Sequence, residues 1–399
     1  MESKDMIKQE DKEELLTLCQ NLIGEKSYSG KEKGISDKIK EYMMSHGYDE
    51  VVVDKYGNTI GHIKGKKSGP TILFDGHMDT VTVTQRKQWD VEPFEGKLAE
   101  GKIFGRGSTD MKGALAAMIF GAAAFAKACD KDFCGDIYVA GVVHEECFEG
   151  VAAREISSFI HPDYVIIGEA SELNLKIGQR GRAEIVIETF GIPAHSANPE
   201  KGNNAVYQMT KIIEAIRTLQ PTEHPILGKG ILELTDIKSS PYPGASVVPE
   251  YCRATYDRRL LVGETKESVI EPIEALLDTL MKENKEIKAK VSYATGREKC
   301  FTGEWIKSER FFPGWLFGES EAFVQDIYQE LIKNGYHPQI TQYNFCTNGS
   351  HYAGEAGIKT IGLGPSREDL AHTINEYLEL EQLLKAEQCY TLVMKALLK

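Results

Sequence analysis

The sequence predicts an α/β domain interrupted by a smaller inserted domain of the ferredoxin-like βαββαβ type. Two observations carry this. Helical and strand-like patterns alternate through the first third of the chain and return after residue 296, as helices packed on a largely parallel or mixed sheet require. In between, the pattern switches to strands with one polar face, in the order β-α-β-β-α-β. The expected division is therefore 1–180 with 297–399 as one discontinuous α/β domain, and 181–296 as the insert.

Residues 12–23 and 34–46 carry apolar positions at helical spacing, and Gly24 and Gly47 stand where such helices stop. Val51 to Val53, Thr59 to Ile63 and Thr71 to Phe74 read as strands, the last short and apolar as a buried strand should be. A helix rich in small residues is expected over 111–128, suited to close packing on a sheet. Ile137 to Val143 and Tyr164 to Ile167 follow as further buried strands. In the insert, Arg182 to Phe190 alternates cleanly: Ala183, Ile185, Ile187 and Thr189 against Glu184, Val186, Glu188 and Phe190. A helix at 204–218, strands at 230–237 and 250–257, a helix at 265–283 and a strand at 287–294 complete the unit. A helix at 317–334, strands at 339–344 and 359–363 and a final helix at 377–398 return the chain to the α/β pattern.

At 399 residues the chain is long enough for two or three domains. Its formal net charge of −13 speaks against nucleic-acid binding, because a phosphate backbone calls for a basic face. The eight cysteines are scattered with no C-x-x-C pair, which suits reduced thiols in a cytoplasmic protein better than a disulfide framework. Met1 to Asp11 is polar and lacks the apolar core of a signal peptide, and no run of about 18 apolar residues predicts a membrane span.

Five short segments place metal-ligand residue types at strand ends or helix starts, the edge where open α/β sheets bind ligands. His77-x-Asp79 follows the strand Thr71–Phe74; an imidazole is a zinc ligand, and a nearby carboxylate can hold its second ring nitrogen. Asp110, in Gly105-Arg106-Gly107-Ser108-Thr109-Asp110-Met111-Lys112-Gly113, falls at a helix start, placed to bridge two metals. Glu145-Glu146, after His144, puts two adjacent carboxylates at a strand end, a costly arrangement unless one is a ligand and the other a general base. Glu169 follows the strand Tyr164–Ile167, and His372 follows the last strand. Taken singly each has a bland reading: a chance His-x-Asp, a solvated Glu pair, a helix cap, a loop histidine. Their joint placement at strand ends of one domain is what points to a two-metal centre, zinc before magnesium because of the imidazoles. Such a centre activates a water and polarises a carbonyl in one step.

These segments resemble the M20 family of metallopeptidases, the group of carboxypeptidase G, acetylornithine deacetylase, succinyl-diaminopimelate desuccinylase and peptidase T. The likeness runs from His77-x-Asp79-x-Val81 through Trp89, Pro93-Phe94, Gly101, Gly105-Arg106-Gly107, Asp110-Met111-Lys112-Gly113, Glu145-Glu146 and Glu169 to His372. Within the family the sequence is most similar to a peptidase-like group linked to selenium metabolism. The resemblance implies a zinc-exopeptidase-like catalytic domain with a lid and dimerisation domain inserted. It implies two zinc ions per subunit, with cobalt or manganese as substitutes: His77, Asp110 and Glu169 on one, Asp110, Glu146 and His372 on the other. Asp79 would orient His77, and Glu145 would be the base.

The resemblance also implies that His195, in Pro193-Ala194-His195-Ser196, reaches the partner subunit's site to stabilise an oxyanion, with Asn204 a companion. Alignment on Gly263-Glu264 marks Arg259 for a substrate carboxylate, which a guanidinium meets with two bonds. Two stretches depart from the family pattern, Cys346 to His351, with Asn348 and Gly349 as substrate-binding candidates, and Thr373-Ile374-Asn375-Glu376. Both are expected where substrate end groups bind; Cys346 itself reads as a buried structural thiol. The expected function is amide hydrolysis on a small peptide or N-acyl amino acid with a free carboxylate, by a homodimer. The alternatives are an N-carbamoyl amino-acid hydrolase and, from another class, a non-catalytic scaffold, against which the full ligand set and Glu145 argue.

Overall fold

The computed structural model describes residues 8–399, so most of the polar opening stretch read against a signal peptide lies outside the described residues. Its elements in chain order begin with α1 (Gln9–Gly24), α2 (Lys33–Ser45), β1 (Glu50–Val53), β2 (Thr59–Lys64) and β3 (Lys67–His77). Next come α3 (Gly113–Ala128), β4 (Cys134–Val142), α4 (Ala153–Ile160), β5 (Tyr164–Ile167) and β6 (Leu175–Gln179). The middle of the chain supplies β7 (Gly181–Phe190), α5 (Ala205–Ile216), β8 (Ile231–Ser240), β9 (Tyr251–Leu260), α6 (Lys266–Glu283) and β10 (Ala289–Tyr293). After a hairpin of β11 (Thr295–Lys299) and β12 (Trp305–Glu309) follow β13 (Trp315–Leu316), α7 (Ala322–Lys333), β14 (Ile340–Tyr343), β15 (Lys359–Gly362) and α8 (Leu380–Leu397).

Nine strands make one sheet in the order β1-β2-β4-β3-β5-β15-β6-β13, with β14 beside β6. Its centre is parallel: β3 pairs in parallel with β4 and β5, and β5 with β15. Four strands therefore end at the same edge, and each hands the chain to a segment picked out above. β3 leads into His77–Asp79, β4 into His144–Glu146, β5 into Glu169, and β15 toward His372. The sheet is covered by helices, of which α3 is apolar on every face and buried against α1, α8 and the central strands.

The second sheet is antiparallel throughout, in the order β8-β9-β7-β10. Because β7 and β8 both run antiparallel to β9 and flank it, they form a split βαβ unit with α5 as the crossover. The alternation in β7 holds except at Val186, which is buried although it was expected on the polar face: Ala183, Ile185, Ile187 and Thr189 are buried, and the first three join Ile212 of α5 and Ile273 and Leu277 of α6 in a separate apolar cluster. Burying each of these isoleucine and leucine side chains is worth roughly 1.5–3 kcal/mol.

Some elements were not expected. β6 is buried along its length although it contains Lys176 and Gln179, because Lys176 Nζ bonds Glu368 and Gln179 accepts from the Thr347 hydroxyl. Polar residues satisfied inside the fold hide a strand from its hydrophobic pattern. Neither the eight-residue α4 nor the β11–β12 hairpin carries a long periodic signal. The helix expected from 317 starts at Ala322 because Trp315 and Leu316 pair with β6, and the final helix starts at Leu380 because Tyr377–Glu379 pairs as a strand with Lys102–Phe104. No unbroken run of about 18 apolar residues occurs, since Lys112 and Lys127 bound the apolar part of α3. Ser108–Ala128 is long and apolar enough by length and composition, but 78% of its apolar window is buried within the protein, as a core helix requires.

Candidate metal centre

The ends of four parallel strands bring five ligand candidates together. His77, at the end of β3, is buried; its Nδ1 donates to the main-chain carbonyl of Asp79 at 2.8 Å. That bond leaves Nε2 toward the cleft, where it lies 2.8 Å from Asp110 Oδ1 and 3.5 Å from Glu169 Oε1. Asp110 sits in an irregular turn ahead of α3 with extended backbone (φ −128°, ψ 90°). Its second oxygen is 2.9 Å from His372 Nε2, and the same nitrogen is 3.1 Å from Glu146 Oε2. Asp110 thus faces both histidines, as a bridging carboxylate must. Donor atoms of His77, Asp110 and Glu146 lie within 4.8 Å of one another, and so do those of His77, Glu145 and Glu169.

The electrostatics fit cations. Burial pushes the Glu145 and Glu169 carboxyls well above the ordinary range, and the neighbouring carboxylates add to it; Glu146 is raised for the same reasons, burial first and Asp110 next. Asp110 goes the other way: burial would raise it, but hydrogen bonds from His372 and His77 hold it well down. Burial would depress His77, yet its bond to Asp110 and the charge of Glu169 lift it well above the ordinary imidazole value. His372 is lifted to about 10 by its bonds to Asp110 and Glu146. Without cations the two imidazoles take up protons to neutralise the acids. Two dications fit this donor set and would do the same work by direct coordination, with His77 oriented for it and the acids crowded for it.

The role expected of Asp79 is corrected in detail. Its carboxylate lies 3.7 Å from His77 Nδ1, so the orienting bond comes from its carbonyl instead. The carboxylate serves the next strand: Oδ1 accepts the Glu145 N–H at 3.0 Å and Oδ2 the Glu146 N–H at 3.2 Å. Two residues whose place here the sequence does not reveal, Glu376 and Arg106, hold the opposite side. Glu376 is fully buried and accepts the N–H groups of Thr109 (2.9 Å) and Asp110 (3.1 Å), while its other oxygen pairs with Arg106. Arg106 reaches on to the carbonyl of His372, so this pair ties Asp110 to His372. Glu376 was expected beside substrate; its place under Asp110 shows only in the fold. Gly364 completes the packing: a Cβ there would meet the carbonyl oxygens of Gly168 and Glu169 at 2.1 and 2.3 Å, displacing Glu169.

Asp110, Glu145, Glu146, Glu169 and His372 line a cleft of about 370 Å³ together with Arg259, Arg182, Phe345 and Cys346. Arg259 anchors its Nε on Asp257 at 2.7 Å. Directly opposite it across the strands is Arg182, bonded to Asp257 (2.9 Å) and Glu149 (2.8 Å). Arg182 was not marked in the sequence, where it looked like the first residue of an ordinary strand; only the register sets it beside Arg259. The thiol of Cys346 is buried and pushed well up by that burial. Asn348 and Gly349 are corrected. The Asn348 side chain donates to Asp75 (2.9 Å) and accepts from Gly150 (2.8 Å), so both its ends are used inside the fold. Gly349 is buried against Trp315, and Asn204 caps α5, accepting the N–H of Val206 at 2.9 Å. His195 is exposed, its Nδ1 accepting from Ala197 at 3.0 Å, and does not line this cleft within one chain.

The fold and this site define a class, a metal-dependent hydrolase, and the comparisons say which one. Residues 73–396 match the model of peptidase family M20/M25/M40, and the chain belongs to that family. It is 33% identical over 371 residues to the uncharacterized protein YgeY of Escherichia coli (strain K12), covering 91% of this chain and 89% of that one. It is 25% identical over 378 residues to succinyl-diaminopimelate desuccinylase 2 of Ruegeria sp. (strain TM1040), covering 91% and 90%. Its fold matches that of the Bacillus subtilis YXEP protein, a dinuclear metal-binding peptidase of the M20 family, with a TM-score of 0.72 at 15% identity, covering 98% and 99%.

Protonated His77 and His372 must give up their protons to bind metal. Zinc uptake should therefore release protons near neutral pH, and apparent affinity should rise with pH. Titration calorimetry in buffers of different ionisation enthalpy measures this; buffer-independent heats would refute it. In the metal-free fold the sign is that of a raised group. The stabilisation from protonated His372 is full below its ordinary value of 6.5 and is lost as pH rises through about 10.

Proposed function

We propose that this hydrolase cleaves an amide bond in a small peptide or N-acyl amino acid at a two-zinc centre, with Glu145 as general base. The observation that carries this reading is Glu145 itself. It is 6% exposed, lines the cleft, and keeps Oε1 free of any hydrogen-bond partner among the described residues. A buried carboxylate with an unused oxygen is costly unless something passes there. The backbone under it is held by Asp79, so the side chain departs from a fixed point.

In this reading His77, Asp110 and Glu169 would hold one metal and Asp110, Glu146 and His372 the other. When bound, the pair would polarise the scissile carbonyl and lower the pKa of a water. Glu145 takes the proton from that water and delivers it to the departing amine, which a non-ligating carboxylate beside two dications can do near neutral pH. Arg259, fixed by Asp257, receives a substrate carboxylate. Residues 181–296 act as a lid, a role supported by the separate apolar cluster there and by the entry of Arg182 and Arg259 into the cleft. His195, outside the cleft of its own chain, serves the partner's site in a homodimer, donating to the oxyanion.

Chelation should abolish hydrolysis of a panel of dipeptides and N-acetyl, N-succinyl and N-carbamoyl amino acids, and zinc, cobalt or manganese should restore it. Glu145→Gln should lower kcat by at least about 10³-fold while metal content stays unchanged, the scale of a lost general base with its positioning. Turnover that survives complete metal removal would sink the mechanism. Preference for N-carbamoyl substrates would move the assignment to that class of amide. For the lid histidine, mixed dimers of His195→Ala and Glu145→Ala subunits should regain some activity; verified mixed dimers that stay inactive would refute action across the interface.

A further inference from the structure

The corner that carries Glu145 and Glu146 is held by more than Asp79. At the end of β4 the chain turns at His144, whose φ is +56°, and three successive N–H groups point away from the strand ladder. The Glu145 and Glu146 N–H groups go to Asp79. The first of the three, on His144, donates to Oε1 of Glu32 at 3.3 Å. Glu32 is fully buried, 112 residues earlier in the chain, and the same oxygen accepts the N–H of Gly30 at 2.8 Å.

Glu32 ends a loop that grips the site twice more. The Ser27 hydroxyl donates to the carbonyl of Met78 at 2.7 Å, and Thr80 N–H donates back to the Ser27 carbonyl at 2.9 Å. The Ser29 hydroxyl donates to Asp79 Oδ2 at 2.7 Å, on the oxygen that holds Glu146. One loop thus fixes the segment after His77 through Ser27, the Asp79 carboxylate through Ser29, and the His144 corner through Glu32. A carboxylate with no exposed surface is an expensive way to fill space. Hydrophobic side chains would pack there at lower cost but would leave the His144 N–H unpaired in a left-handed turn.

We infer that Glu32 is a positioning residue for the general base, acting through the His144 N–H to set where Glu145 leaves the chain, with Ser29 supporting it through Asp79. This rests on the assignment of Glu145 as base. Glu32 touches no ligand candidate, so its effect belongs to the chemical step and not to metal retention. Its acceptor oxygen matters and its charge does not, which separates Gln from Ala at this position.

The test uses zinc-loaded full-length protein and whichever panel member the wild type hydrolyses. Glu32→Ala should lower kcat at least about tenfold with KM and zinc content within about twofold of wild type, the pattern of an interaction lost only in the transition state. Glu32→Gln, which keeps Oε1, should recover to within about threefold, again read as a kcat effect. Hydrogen exchange, followed by mass spectrometry on peptides spanning residues 142–149, should be faster in Glu32→Ala than in Glu32→Gln. The inference is overturned if Glu32→Ala keeps its kcat, if Gln and Ala are equally impaired, or if kcat falls only in step with zinc content. Glu145→Gln run alongside separates the two claims. An active Glu145→Gln removes the base itself, whereas an inactive one beside a fully active Glu32→Ala removes only the positioning role.

Discussion

Four carboxylates and two imidazoles face one another in a mostly buried cleft, and they cannot all keep their solution charges there. Taking an ion out of water costs several kcal/mol even after relaxation, and like charges at hydrogen-bond range add to it. The upward push on Glu145, Glu146 and Glu169 and on both histidines is the same statement in protonation terms. A pair of divalent cations would remove the conflict, and the other features of the site suit that arrangement.

The sheet solves the placement. The ligand candidates His77, Glu146, Glu169 and His372 meet because four parallel strands finish at one edge, and the turn ahead of α3 brings Asp110 between them. Fine alignment then comes from buried polar groups that touch the backbone of the ligands and leave their side chains free. Asp79 holds Glu145 and Glu146, Glu376 holds Asp110, and Arg106 links Glu376 to His372. The supports come from distant parts of the sequence, so the site and the packing of the whole large sheet stand or fall together.

Much of this was legible beforehand because it rests on short-range signals. Two-residue alternation marked β7, and residue types at strand ends marked His77, Asp110, Glu145, Glu146, Glu169 and His372. What stayed hidden depends on long-range pairing. Glu376 looked like a substrate residue until the turn at Thr109–Asp110 was seen lying on it. Arg182 gained meaning only from its register with Arg259. Asn348 looked free until Asp75 and Gly150 were found at its two ends. β6 carries no strand signal because Lys176 and Gln179 are buried with partners that lie more than 160 residues away. A hydrophobic pattern reports which face is apolar; it does not report which polar group has found a partner.

The proposed ligation of two metal ions by His77, Asp110, Glu146, Glu169 and His372 can be seen by anomalous diffraction from crystals of zinc-loaded protein, collected on both sides of the zinc absorption edge. Two peaks roughly 3.5–4 Å apart are expected. One should lie between His77 and Glu169 and the other between Glu146 and His372, with Asp110 touching both. A single peak, or zinc bound away from these residues in crystals of hydrolytically active protein, would contradict it.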